Sequence, residues 1–524
     1  MKRVLTREEL NTFEKEDLVE AVLRGQEEID ILTGELNKTK ALLFGRKSEK
    51  KKEEAPEEQI RFEFNEIEKN APKEDETIEI AVKEHKRKVK KPGKRELDLS
   101  KLPKEIIRHS ITEEELKKMF PDGWRNLPDE IYSNVEYLPA RYIVMEHHVE
   151  VYCGKKEDRI VRAEHPKELL KSSIATPSLV AGIMNGKYVN ALPLYRMEQE
   201  FKRNDVPISR QIMSSWVMKS AERYLSLMYD KMKEKLLSHS VVHADETPVI
   251  VTKDGRPAGS KSYMWVYRSN VLDENPVVIY EYQKTRKADH PKEFLSGFSG
   301  TLVTDGYEVY HKLARDWIDD LRISGCWVHL KRKFHDAIKS MGKSGENTAA
   351  GTLAGQAVGK IQEIFHLDNS FENLNAEQRF KKRKDELEPL VLEFFEWVKM
   401  HRDDVTKNSI TGRAFSYAIS QEEYLLTFLT DGNIPMDNNA AERAIRPFCI
   451  GKKNWVMCDT INGAKDSAII YSITETAKAN NLKPYEYLKH LLTEIPKHMD
   501  DSNLRFLESL LPWSEELPLE CKSE

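Results

Sequence analysis

A chain of 524 residues exceeds what one hydrophobic core organises, which excludes a single small domain. Charged residues make up 33% and hydrophobic ones 39%, a globular composition with solvated stretches, and a net charge of −5 leaves the choice of partner to local charge distribution. No apolar run reaches the roughly 18 residues of a membrane span, the opening MKRVLTREEL lacks a secretory apolar stretch, and the five scattered cysteines form no CxxC pair.

Residues 12–44 predict a helix with a heptad seam. Val22, Ile29, Leu36 and Leu43 share an a-type position and Leu18 and Leu32 a d-type one, while Gly25 and Thr39 weaken the other d positions. Two readings stand: a short coiled coil that pairs two chains, or an amphipathic helix packed on its own protein. Residues 46–80, rich in Lys and Glu, read as a linker. The run VKEHKRKVKKPGKR (82–95) carries eight basic side chains and one acid. Lys86, Arg87, Lys88, Lys90 and Lys91 within it suit nucleic-acid phosphates without sequence readout.

Residues 130–165 predict a small sheet around RYIVMEHHVEVY (141–152), and 166–238 is helical in pattern. Within PISRQIMSSWVMKSAERYL (207–225), Ser209 stands where an N-cap belongs. With the helix around 192–203 this makes either a helix-turn-helix presenting Arg210 and Gln211 to DNA or an ordinary packed helix pair.

From residue 240 the order of elements is specific. SVVHAD (240–245), YMWVY (263–267) and VVIYEY (277–282) predict strands, the first two separated by a turn at Asp254 and Gly255. Helical DHPKEFLSGF (289–298), strand TLVTD (301–305), helical EVYHKLARDW (308–317) and strand-like RISGCWVHL (322–330) follow. Three adjacent strands, then helix, strand, helix and strand, predict an RNase H-like core whose first three strands are antiparallel and whose later ones join in parallel. Residues 336–430 carry no strand signal and read as a helical insertion. In MDNNAAERAIRPFCIGKKNWVM (436–457) a helix is N-capped by Asp437 or Asn438, and helices around 465–494 follow.

Two acids at strand ends, Asp245 and Asp305, and one in the second turn of a helix, Glu442, form a set that phosphodiester chemistry can use. Cleavage needs charge stabilised on both attacking and leaving oxygens, which two divalent ions roughly 3.5–4 Å apart supply. Magnesium prefers oxygen ligands and takes one or two carboxylates per ion. Asp245 and Asp305 are 60 positions apart and Glu442 lies 137 further on, yet the predicted strands are neighbours. Glu246 points to the opposite face of a continuing strand. Asp437 competes with Glu442 for the third place, but as an N-cap it has another use. Taken singly, a strand-end Asp is a turn or cap residue and a helical Glu is solvated; the conjunction carries the reading. His329, Lys331, Arg332, Lys333 and His335 after the fifth strand, and Arg443, Arg446, Lys452 and Lys453 after Glu442, are assigned to DNA phosphates.

These segments together resemble the transposases of the insertion sequence sixty-six family, the large DDE-type subunit. The resemblance runs through LLFGRKSEK (42–50), PLYRMEQEFKRNDVPISRQIMSSWV (193–217), VVHADETPV (241–249), LVTDGYEVY (302–310) and GCWVHLKRKFHDA (325–337). It continues through DNNAAERAIRPFCIGKKNW (437–455), GAKDSAIIYSITETAKANNLKPYEYL (463–488) and LLPW (510–513). It implies catalytic, metal-holding acids at Asp245, Asp305 and Glu442, two Mg²⁺ ions with Mn²⁺ able to substitute, and an RNase H-like core with a helical insertion. It also implies a zipper-like N-terminus over residues 12–44.

The family's small zinc-binding module carries two cysteine pairs. Here the first pair is missing from FPDGWRNLPDEIYSN (120–134) and only Cys153 remains of the second, so no zinc is expected. The expected fold class is therefore α/β multidomain. Its divisions are an N-terminal helix (1–50), a charged linker (51–95), a small β-containing module (96–165), a helical region (166–238), a first core segment (239–338), a helical insertion (339–431), a second core segment (432–480) and a helical tail (481–524). The expected activity is strand cleavage at element ends and strand transfer into target DNA. The alternatives are an inactive DNA-binding regulator and a nuclease of the same fold. Expected partners are terminal-repeat and target DNA, further copies of the chain assembled on that DNA, and helper proteins of the same element. No membrane is involved, and the expected location is the cytoplasm, at the nucleoid.

Overall fold

The computed structural model describes residues 142–153, 160–163, 167–257, 259–316, 320–341 and 351–523, with residues 112, 114, 118 and 119. The chain divides into two units, Arg46–Arg141 and the combination of Met1–Gly45 with Tyr142–Glu524; every element below lies in the latter. The expected N-terminal helix, the linker and the basic run lie outside the described residues.

Of the sheet expected over 130–165, the described residues form a hairpin of β1 (Val151–Cys153) and β2 (Ile160–Arg162), paired antiparallel with Val151 opposite Arg162. A helical layer follows: α1 (Pro177–Met184), α2 (Leu194–Arg203), α3 (Arg210–Ser220) and α4 (Ser226–Leu237). Ser209 caps α3, its hydroxyl accepting the Ile212 N–H at 3.3 Å. A π-helical turn at Ala221–Leu225 carries α3 into α4.

The central sheet has six strands: β3 (Val241–Lys253), β4 (Lys261–Ser269), β5 (Val278–Gln283), β6 (Gly300–Thr304), β7 (Leu321–Gly325) and β8 (Cys458–Thr460). The order is β5-β4-β3-β6-β7, and β8 pairs with the far half of β3. The first three strands form an antiparallel meander, with β6 parallel to β3 and β7 parallel to β6. Residues opposite one another across such strands share a face. Glu246, Trp265 and Glu281 therefore line one face, and Asp245, Val266 and Tyr280 the other.

Helices α5 (Asp289–Phe294) and α6 (Glu308–Asp316) cover the first face, where Phe294 stacks on Tyr267 at 3.7 Å and Tyr310 meets Trp265 edge-on at 6.0 Å. After β7 comes α7 (Trp327–Ser340). The segment expected as a helical insertion supplies α8 (Leu353–Asn369), α9 (Ala376–Lys382), α10 (Glu388–Met400) and α11 (Ile410–Leu426). Its apolar core runs without interruption into the sheet, sharing Val241, Val303, Trp327 and Leu330, and the Trp327 indole donates to the Leu425 carbonyl at 2.9 Å. The second face is covered by α12 (Asn439–Trp455) and α13 (Ile461–Ala479), and α14 (Pro484–Glu494) closes the helical layer against α1.

Two expectations need correction. RISGCWVHL is a strand only as far as Gly325, and Trp327 already opens a helix. Trp327 and Leu330 are wholly buried, and a short apolar run reads alike as a buried strand or a buried helix. Asp245 does not end its strand, because β3 runs on to Lys253 by pairing with β4 and β8. Among the described residues no helix is long and apolar enough to cross a membrane.

Candidate active site

Strands β3 and β6 pair Val241 with Thr301, Val242 with Leu302 and His243 with Val303. Carried two residues further, this register sets Asp245 beside Asp305, the first residue of the turn leaving β6. Asp245 Oδ1 accepts the Glu246 N–H at 2.8 Å, and Asp305 Oδ1 accepts the Tyr307 N–H at 3.0 Å. Glu442 arrives from the second face in the first turn of α12, one turn earlier than expected because the helix begins at Asn439. It is only 5% exposed. Its Oε1 lies 3.7 Å from both His329 Nε2 and Arg332 Nη2 on α7, too far for hydrogen bonds, and that buried oxygen has no hydrogen-bond partner.

The electrostatics mark a site crowded with like charge. Burial, then the carboxylates of Glu246 and Asp305 and last that of Glu442, hold the Asp245 carboxyl well above the usual range, with the Glu246 N–H opposing. Glu246 is pushed up to about 7 by burial and by Asp305, with Arg286 and Tyr310 opposing. Its oxygens are already engaged on the other face, by Arg286 Nε at 2.6 Å and the Tyr310 hydroxyl at 2.6 Å. Strand alternation thus gives two adjacent acids different work.

Asn438, 1% exposed, ties these elements together. Its Nδ2 donates to the carbonyl of Ala244 at 2.8 Å, its Oδ1 meets His243 Nδ1 at 2.9 Å, and its N–H points at Cys326 Sγ at 3.2 Å. Its own carbonyl accepts the Glu442 N–H at 3.1 Å. Asp437 accepts from Asn439 through both oxygens, from the backbone N–H at 2.9 Å and the side-chain amide at 2.8 Å. The N-cap position itself falls on Asn438, whose side chain caps no helix N–H, so Asp437 is not the N-cap that the sequence offered.

Three oxygen-donor acids, one with a buried oxygen that accepts no hydrogen bond, suit a hard divalent cation. Among the described residues no three His, Cys, Asp or Glu side chains converge closely enough to enclose one ion. An ion that takes one or two carboxylates and completes its shell with water does not require such a cage.

The other candidate residues are spread over several elements. Lys86, Arg87, Lys88, Lys90 and Lys91 lie outside the described residues. Arg210 and Gln211 are exposed at the start of α3, with Arg210 5.6 Å over the Tyr195 ring and its N–H capped by Glu198 at 2.9 Å. Lys331, Arg332 and Lys333 follow His329 on α7, and Arg443, Arg446 and Lys453 are exposed on α12. Lys452 is turned inward, donating to Thr247 Oγ1 and the Pro248 carbonyl, both at 2.8 Å. His329 likewise faces Glu442 rather than solvent, and burial pushes its ring down to about 4. His335 is half-buried further along α7.

Comparison with known proteins adds an independent finding. Residues 172–466 match the transposase IS66 family, 472–513 the IS66 C-terminal element, and 31–107 the region described as transposase C of IS166 homeodomain. Two similar proteins come from Sinorhizobium fredii and are described only as uncharacterized. The protein y4qI is 28% identical over 499 residues, covering 93% of this chain and 89% of its own. The protein y4hP is 25% identical over 400 residues, covering 74% and 71%.

Proposed function

The chain belongs to the transposase IS66 family, and from that membership we propose that it cuts DNA at the ends of its element and joins the freed ends to target DNA at Asp245, Asp305 and Glu442. The observation that carries this reading is the placement of the acids: the β3–β6 register sets Asp305 beside Asp245, and α12 brings Glu442 in from the second face, with burial, Glu246 and Asp305, and least of all Glu442, holding the Asp245 carboxyl up. Carboxylates repel one another, so a fold that gathers them is stabilised by a cation. Divalent-metal use is general to this family, and the oxygen-only donor set favours Mg²⁺, with Mn²⁺ as substitute. Such a pair, once bound, would stabilise charge on the attacking and leaving oxygens.

The chain's own residues divide the remaining work. Asp245 and Asp305 hold from the sheet, and Glu442 reaches in from α12. Arg332 and Lys333 on α7 and Arg443 and Arg446 on α12 flank the acids and bind the phosphate backbone. The antiparallel meander followed by parallel β6 and β7 supports an RNase H-like core made of 239–338 and 432–480, with 339–431 inserted. The match over 31–107 supports DNA recognition by the N-terminal region, together with the basic run. Assembly of several copies on paired DNA ends, helper proteins of the element and a cytoplasmic setting complete the proposal.

The test is Asp245→Asn. On a DNA fragment carrying the element's end, strand cleavage should fall to background while end binding stays within about twofold of the unmodified protein. Undiminished cleavage removes the assignment. A pre-cut end then separates joining from simple nuclease action, since a nuclease yields no joined product.

A further inference from the structure

The turn that carries Asp305 is gripped from two directions. On one side, Tyr307 gives its N–H to Asp305 Oδ1, its hydroxyl donates to the Arg286 carbonyl at 3.1 Å, and the Arg286 guanidinium lies 3.7 Å over its ring. On the other side the contact comes from the insertion. Tyr417 of α11 stands 112 positions after Asp305 in the chain. A Cβ built on Gly306 would lie 2.6 Å from the Tyr417 hydroxyl and 2.9 and 3.0 Å from two of its ring carbons, closer than real side chains approach. Only glycine leaves room for the phenol against this peptide.

Burial, Cys326 and Asp305 all raise the Tyr417 phenol. Lys333 of α7 sits 5.5 Å over the same ring. We propose that Tyr417 is a positioning residue: the insertion sets its ring against the Gly306 peptide and so fixes the Asp305 turn, so that this carboxylate and Asp245 meet the same divalent ions. This rests on the metal-site reading above, and it gives the insertion a role in the chemistry.

The test is a titration of the full chain with Mn²⁺ alone, followed by electron paramagnetic resonance, for the unmodified protein, Tyr417→Ala, Gly306→Ala and Asp305→Asn. Losing the ring that holds the turn should weaken Mn²⁺ binding about tenfold in Tyr417→Ala. Gly306→Ala, which pushes the ring away from the opposite side, should do the same. In cleavage, the half-saturating Mn²⁺ should rise by that factor while the rate at saturating Mn²⁺ recovers. If both variants bind Mn²⁺ like the unmodified protein and Asp305→Asn does not, the role of Tyr417 is overturned and the metal site stands. If Asp305→Asn also binds normally, the site itself is wrong and this inference goes with it.

Discussion

One buried amide, that of Asn438, holds together the strand that carries Asp245 and the helix that carries Glu442. For its oxygen to accept from His243, Nδ1 must carry the proton, and burial, which pushes that ring down to about 4, leaves it as the neutral Nδ1–H tautomer. Asn438→Ala should leave the Ala244 carbonyl and His243 without partners, at about 1–3 kcal/mol for each group. Denaturant unfolding checks the stability, and cleavage should fall sharply even at temperatures where the variant is folded. Full activity in a folded Asn438→Ala would show that the amide does not set the site. The three acids could be proposed from the sequence because metal-assisted phosphate chemistry draws on few residue types. Asn438 was legible only as a helix cap, since its partners His243 and Cys326 lie 195 and 112 positions away. Tyr417 gave no local signal at all, because its contact exists only once the insertion has folded against β6.

Among the elements, β3 was read too short. Pro248 argues against a central strand, yet β3 continues past it for five more residues, to Lys253. The Pro248 carbonyl accepts from Lys452, not from β4. A strand residue's N and C=O point the same way, so the missing N–H falls where β6 has already ended. Helix α13 has a use that its sequence pattern does not announce. Strand β5 is an edge of the sheet, and edges leave N–H groups unpaired. Two hydroxyls one helical turn apart fill that need: Thr476 accepts the Val278 N–H at 3.0 Å and Ser472 accepts the Tyr280 N–H at 2.8 Å. Thr476 also donates to the Val278 carbonyl at 2.9 Å. Thr476→Val keeps the shape and strands both groups, so unfolding in denaturant should show a loss of about 1–3 kcal/mol. An unchanged midpoint would mean that the edge finds other partners.

Across the whole molecule, the order of strands and helices from residue 240 carried the topology, since a meander followed by alternating helices and strands leaves few ways to close a mixed sheet. How the insertion meets that sheet was not legible, because Trp327, Phe394 and Phe428 pack across separations that no periodicity encodes. The central claim is that Asp245, Asp305 and Glu442 share divalent ions. Its most direct test is diffraction from crystals soaked in Mn²⁺, recorded at the manganese absorption edge. The account predicts anomalous density between these three carboxylates. Manganese found only elsewhere, with this cluster empty at saturating concentration, would contradict it.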